Sequence, residues 1–330
     1  MPPFTALRRL TALAGSLSLA GLAVLASPAS ATPAATVYVV NAGPGTVSAI
    51  NTATNTVTAT IPVGIDPLSD AVTPDGSTLY VGNHGTGTVH GSGSVSVIST
   101  ATNTVTGTIR TGFGPVSVAI GPSGTQAYVS CHGSDSISVI STATSTVTGI
   151  IDVSSPGDEA INPAGTTLYV GGGSKVYVID LATDTVTRTI GGLDGVHGLA
   201  VSPDGSVLYV AQAALDKVSE ISTATDTVAG IFTTPTAPAS LVIGSSDSTA
   251  YVTSRTGGDL LVTDTMTGAL DATISTGSSA SGIVLAQDGG TAYVTNAKSN
   301  DVSVIDLYDN TVTATVPVGK NPGGIALAAG

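Results

Sequence analysis

Short apolar runs, spaced by Gly, Pro, Asn, Asp and Thr, fill the chain from about residue 36 onward. Val105-Thr106-Gly107-Thr108-Ile109 alternates apolar and polar positions, the period-two signature of a half-buried strand. Thr73-Pro74-Asp75-Gly76 supplies a turn: a fixed φ, a side chain that bonds nearby backbone, and a glycine free to take positive φ. Asp204-Gly205 and Asp288-Gly289 repeat it, while Ser123-Gly124 and Ala164-Gly165 keep only the glycine. Thr54-Asn55-Thr56, Thr183-Asp184-Thr185 and Thr225-Asp226-Thr227 mark hairpins between later strands.

These pieces recur as one unit. Tyr38, Tyr80, Tyr128, Tyr169, Tyr209, Tyr251 and Tyr293 are separated by 42, 48, 41, 40, 42 and 42 residues. Around each lie a Pro/Ala-led apolar run, a Pro-Asp-Gly-like turn, the Tyr-Val strand, a loop, a Val-Ser-Val-Ile strand, a Thr-rich turn and a Val-Thr-x-Thr-Ile strand. Four strands per unit and seven units predict an all-β fold: a single seven-bladed β-propeller with four antiparallel strands per blade. The in-phase tyrosines are expected to pack between blades. The first strand, Val37 to Asn41, is of the Tyr-Val type, whereas Pro322-Gly323-Gly324-Ile325-Ala326-Leu327 is an innermost strand without followers. The ring is therefore expected to close 3+1, one blade combining three N-terminal strands with the C-terminal one and leaving no free edge. Nothing within 36–330 resembles a linker.

Tyr293-Val294-Thr295-Asn296, followed by Val302-Ser303-Val304-Ile305-Asp306 and a Thr-x-Thr-Val strand, resembles the YVTN family of β-propeller repeats. The best copies run from Tyr293 to Val318 and from Tyr38 to Gly64. The resemblance implies a surface-layer, secreted or periplasmic repeat protein. Related seven-bladed propellers include lactonases and lyases, so function must be argued from a site rather than from the fold.

Residues 1–31 have the form of an export signal: Arg8-Arg9, an apolar run from Leu10 to Leu25, and Ala29-Ser30-Ala31 as a small-residue cleavage site. The competing reading of the same run is an uncleaved anchor. Leu7 and Thr11 fit a twin-arginine motif poorly, so Sec export is expected, with a short tail at 32–35 before the propeller. The product is expected outside the cytoplasm, secreted or in the cell envelope, with no transmembrane segment in the mature chain. Cys131 is the one cysteine, which excludes an intrachain disulfide and predicts a semi-buried thiol.

Charge narrows the partners. Without the two leader arginines, seven Lys/Arg face 22 Asp/Glu, a net charge of −15. Nucleic acid needs a positive footprint, and scattered Lys175, Lys217, Lys298 and Lys320 offer none. With no Trp, and with most tyrosines committed as repeat anchors, stacking platforms for sugars or bases are missing too. Gly43-Pro44-Gly45 and Gly171-Gly172-Gly173 join strands rather than feed a helix, so they are not phosphate cradles.

Candidate chemistry gathers at one end of the ring. His84 and His132 share one repeat position, directly after the Tyr-Val strand, and Arg255 holds the equivalent position in a later blade. His90 lies in the one long insertion, and His197 at the start of an innermost strand. Loops between second and third strands emerge on the same face as the starts of the innermost strands. His84, His90, His132, His197, Arg255, Asp70, Asp158 and Glu159 are thus expected toward one mouth of the central channel, as ligand-binding candidates. Two functions fit. One is a non-catalytic binding scaffold for an extracellular or envelope protein or a small ligand. The other is a lactonase-like or lyase-like enzyme with Glu159 as base, His197 as acid and a divalent metal of unidentified ligand set.

Overall fold

The computed structural model describes residues 34–86 and 93–329. Seven four-stranded antiparallel sheets form the blades of a propeller. The innermost strands are Pro67–Val72, Pro115–Ile120, Glu159–Ile161, Val196–Val201, Pro238–Ile243, Ala280–Leu285 and Pro322–Ala328. Each opens one of blades 1 to 7 in that order. In blade 7 the strand Pro322–Ala328 pairs with Thr36–Asn41, whose other neighbour is Thr46–Asn51, itself followed by Thr56–Pro62. The ring closes 3+1, as the repeat phase predicts.

Burial explains the sequence of each strand. Second strands such as Thr36–Asn41 (TVYVVN) are packed on both faces and are nearly continuously apolar. Outermost strands such as Thr146–Asp152 alternate exposed and half-buried positions, because only one face meets a neighbour. In most blades a small residue of the outermost strand sits opposite the centre of the third strand, as in Val97↔Gly107 and Val304↔Ala314, just where the register shifts. Such bulges add twist, which a blade needs to pack against its neighbours.

The blades are joined by apolar seams, each holding tyrosine and aliphatic side chains from two adjacent sheets. The tyrosines also latch: Tyr38 of blade 7 donates its hydroxyl to Asn103 Oδ1 of blade 1 at 2.8 Å. Asn103 is a hairpin residue with φ +52°, and Asn55, Asp184, Asp226 and Asn310 hold the same left-handed conformation in their hairpins. Asn and Asp tolerate that region better than other residues with a Cβ, which accounts for the Thr-Asn/Asp-Thr turns. The threonine after Tyr-Val stitches the channel wall. Thr295 Oγ1 accepts from Gly282 N at 2.8 Å and donates to the Gly323 carbonyl of blade 7 at 2.9 Å. Thr253 does the same between Ser240 and Ser281. The final asparagine binds inward: Asn296 donates to Asp301 and Ser303 of the third strand and accepts from Gly277 N in the loop before its inner strand. Among the described residues no helix is long and apolar enough to cross a membrane.

Candidate functional site

Where the inner strands begin, their first residues and the loops after the second strands enclose a cavity of about 480 Å³ at one mouth of the channel. That volume lies within the range of small-molecule sites. Pro67, Leu68 and Val116 form an apolar side, and Ala42, Ala297, Gly282, Gly323 and Gly324 leave room. Asp158, His197 and Arg255 supply the ionisable groups, and Ser240 and Ser281 add hydroxyls to the same lining.

Each of the three is placed by its blade. Asp158 immediately precedes the short inner strand Glu159–Ile161. His197 is the second residue of Val196–Val201 and is exposed to the channel mouth. Arg255 follows the second strand Thr249–Ser254 and projects from an exposed loop. Burial holds the Asp158 carboxyl above its ordinary range, while His197 and Arg255 favour its anion and oppose that shift.

The other candidates are elsewhere. His84 turns toward the loop leading into its own blade, with Nδ1 3.7 Å from Asp66 Oδ2. His132 reaches into blade 3, with Nδ1 3.2 Å from the Pro156 carbonyl oxygen. Both are on the mouth face, and neither lines the cavity. His90 falls in 87–92, outside the described residues.

Asp70 and Glu159 lie in blade seams. Each stands one residue before the inner-strand partner of its blade's tyrosine, Ala71↔Tyr80 and Ala160↔Tyr169. The same register position in the other blades holds Val118, Leu199, Leu241, Ile283 and Ile325. Glu159 Oε1 accepts a hydrogen bond from Ser130 Oγ at 2.5 Å, and Oε2 is sealed without a partner. Both carboxyl oxygens of Asp70 are sealed and unpartnered, although the residue as a whole is only half-buried. A Cβ at Gly324 would stand 2.8 Å from Asp70 Oδ1, so this carboxyl lies against the strand that closes the ring. Burial pushes Glu159 up to about 8; Ser130 opposes the shift and Asp158 adds to it. Burial alone lifts Asp70 well above the carboxylate range.

Glu159 is therefore not facing His197 across the cavity, and that base–acid pairing is not assembled. Among the described residues no three His, Cys, Asp or Glu side chains converge as a metal set. Cys131 is fully buried rather than semi-buried, because it replaces the inward-facing repeat asparagine. Its Sγ lies 3.7 Å from Ser138 Oγ, and burial pushes the thiol up.

One base missed as scattered is not scattered. Lys298 shares a cleft of about 410 Å³ with Arg255, Gly257, Gly258, Ser278 and Ser279, between blades 5 and 6. The signal was in the repeat: Lys298 stands one loop position beyond the Arg255 register, in the next blade.

Comparison with known proteins supports the architecture. A family model described as a domain of unknown function, DUF5074, matches residues 101–240. No curated protein matches the chain. A hydrazine synthase chain from Kuenenia stuttgartiensis superposes with TM-score 0.75 at 23% identity, over 87% of this chain and 99% of that one. A functionally unknown protein from Desulfotomaculum acetoxidans gives 0.76 at 17% identity, over 89% of this chain and 99% of its own. A protein from Lactobacillus plantarum gives 0.75 at 17%, with coverage of 89% and 99%. At such identities the likeness is one of fold, and the chain is a β-propeller repeat protein.

Proposed function

We propose that this protein is an exported, non-catalytic propeller of the YVTN type that binds a small ligand in the mouth of its central channel. The observation that carries the reading is the cavity of about 480 Å³ in which Asp158, His197 and Arg255 meet amid Gly, Ala and Ser. Elsewhere the chain is poor in charge, 9% Asp, Glu, Lys and Arg against a norm of about 25%. A wall that combines three ionisable side chains with an apolar side can orient a ligand by its polar end. The test is a thermal-shift screen of small metabolites on wild type and on an Asp158→Asn/His197→Ala/Arg255→Ala variant. Ligands that stabilise wild type are expected to lose their effect on the variant; an unchanged response would remove the mouth from consideration.

Export rests on the leader: Arg8-Arg9, Leu10 to Leu25 and Ala29-Ser30-Ala31. Intact-mass measurement of culture and envelope fractions is expected to find a soluble chain starting at Thr32, within a few residues. A full-length chain held in the membrane fraction would overturn both cleavage and location.

A further inference from the structure

Arg255 lines both the channel cavity and the neighbouring cleft, and Lys298 lines that cleft. Both side chains are exposed, and among the described residues neither forms an ion pair. The acids beside them are already engaged within their own blades. Asp259 Oδ1 accepts from Ser275 Oγ at 3.0 Å. Asp301 Oδ1 accepts from Asn296 Nδ2 at 2.7 Å and from Ser299 Oγ at 3.2 Å. Two cations are thus left facing joined hollows in a protein of strongly negative net charge.

Resting on the channel-mouth reading above, we propose that the ligand is a small organic anion. Its carboxylate or phosphate seats at Arg255, with Lys298 beside it, and its uncharged body lies against Leu68 and Val116. Arg offers a fork of donors that matches either oxyanion, and charge-assisted bonds of that kind are the strong ones. His197, Ser240 and Ser281 complete the polar side of the cavity. Asp158 is the one acid on that wall, and Arg255 and His197 are the cations that offset it.

The bases are unevenly placed over the two faces. The turns and hairpins of the opposite face carry Asp75, Asp180, Asp204, Asp264, Asp288 and Asp306 and no Lys or Arg. Arg110, Lys175, Lys217, Arg255, Lys298 and Lys320 all lie at strand ends or loops on the mouth face, among Asp66, Asp135, Asp152, Asp158, Asp194, Asp216, Asp259 and Asp301. Arg188 pairs with Asp226 of a hairpin on the other face at 2.7 Å. The attraction for an anion is therefore local to Arg255 and Lys298 at the mouth, not a property of the whole face.

Binding of hexanoate, hexyl phosphate, hexanamide, hexylamine and inorganic phosphate would be measured by calorimetry on the full mature chain. At least one of the two organic anions is expected to bind, with the amide and the amine about tenfold weaker or worse. Arg255→Gln is expected to weaken the anion by about tenfold or more, Lys298→Gln by a few-fold, and Arg255→Lys by less than Arg255→Gln. Binding of the amide or amine as tightly as the anions would overturn the inference. So would an Arg255→Gln variant that binds the anion normally, inorganic phosphate matching the organic anions, or no binding of any probe up to about 10 mM. Ala297→Phe, which fills the cavity from the loop after a second strand, separates the two levels. Amide binding lost on that substitution keeps the channel-mouth site and removes the anion; anion binding untouched by it removes both.

Discussion

Removing residues 321–330 is expected to abolish the cooperative unfolding transition of the protein. The deleted segment contains the strand Pro322–Ala328, the innermost of blade 7, hydrogen-bonded along Thr36–Asn41. Its Ala326 and Ala328 are buried in the seam with blade 1, and Ile325 and Leu327 pack into the seam with blade 6. The Gly323 carbonyl that accepts from Thr295 Oγ1 would also be lost. Two large aliphatic side chains at roughly 1.5–3 kcal/mol each, with the alanines and the ladder, bring the loss to about 5 kcal/mol or more. Whole domains are stable by only about 5–15 kcal/mol. The truncation also leaves Thr36–Asn41 as a bare edge, a template for aggregation. Circular dichroism melting and size-exclusion chromatography measure both effects. A truncated chain that melts and elutes like the intact one would show that closure does not hold the ring.

Stability is expected to rise as pH falls from 8 toward 5, against the habit of proteins whose carboxylates are paired. Glu159 is held near 8 in the fold against an ordinary value near 4.5, and Asp70 is also raised. In the folded chain Glu159 carries its proton at neutral pH and Asp70 is shifted in the same sense, whereas in the unfolded chain both ionise above about 4.5. The stability that goes with these protons is fully present below the unfolded value and is lost as pH climbs to the folded one. The cost at pH 8 is roughly a few kcal/mol for Glu159, and Asp70 adds in the same direction. Asp70→Val and Glu159→Leu, which copy the aliphatic residues of the other five blades, are expected to flatten the dependence. They should raise the melting temperature at pH 8 by about 5 °C, and by less at pH 5. A double variant with the same pH slope as wild type would mean that these carboxyls already ionise in the folded protein.

The seven blades and their closure were legible because a period of about 42 residues is a global signal, repeated at every tyrosine. The mouth was legible as a level of the ring: phase along the repeat places His84, His132, His197 and Arg255 at one end. Direction around the ring was not. Most inner strands carry a register shift against their second strand, between Pro67 and Ser69 or between Val196 and Leu199, for example. A bulge there breaks the period-two rule that would say which side chains face the channel. Blade 3 is the exception, with no shift in Glu159–Ile161: there Asp158 lines the cavity while Glu159, the next residue, turns to Ser130 in the seam. Aligning the inner strands would have exposed Asp70 and Glu159 as acids at an aliphatic position. The stitching by Thr253 and Thr295 could not be read from the chain, because each partner belongs to the next blade.

Blade 7 also decides how the molecule can be held. Thr36 pairs with Ala328, so the two ends of the propeller leave side by side. They leave among the Pro-Asp-Gly turns: a Cβ at Gly76 would stand 3.4 Å from the Ala329 carbonyl oxygen. A tether or surface joined directly at Ala328 would thus meet the protein on its turn face, opposite the channel mouth.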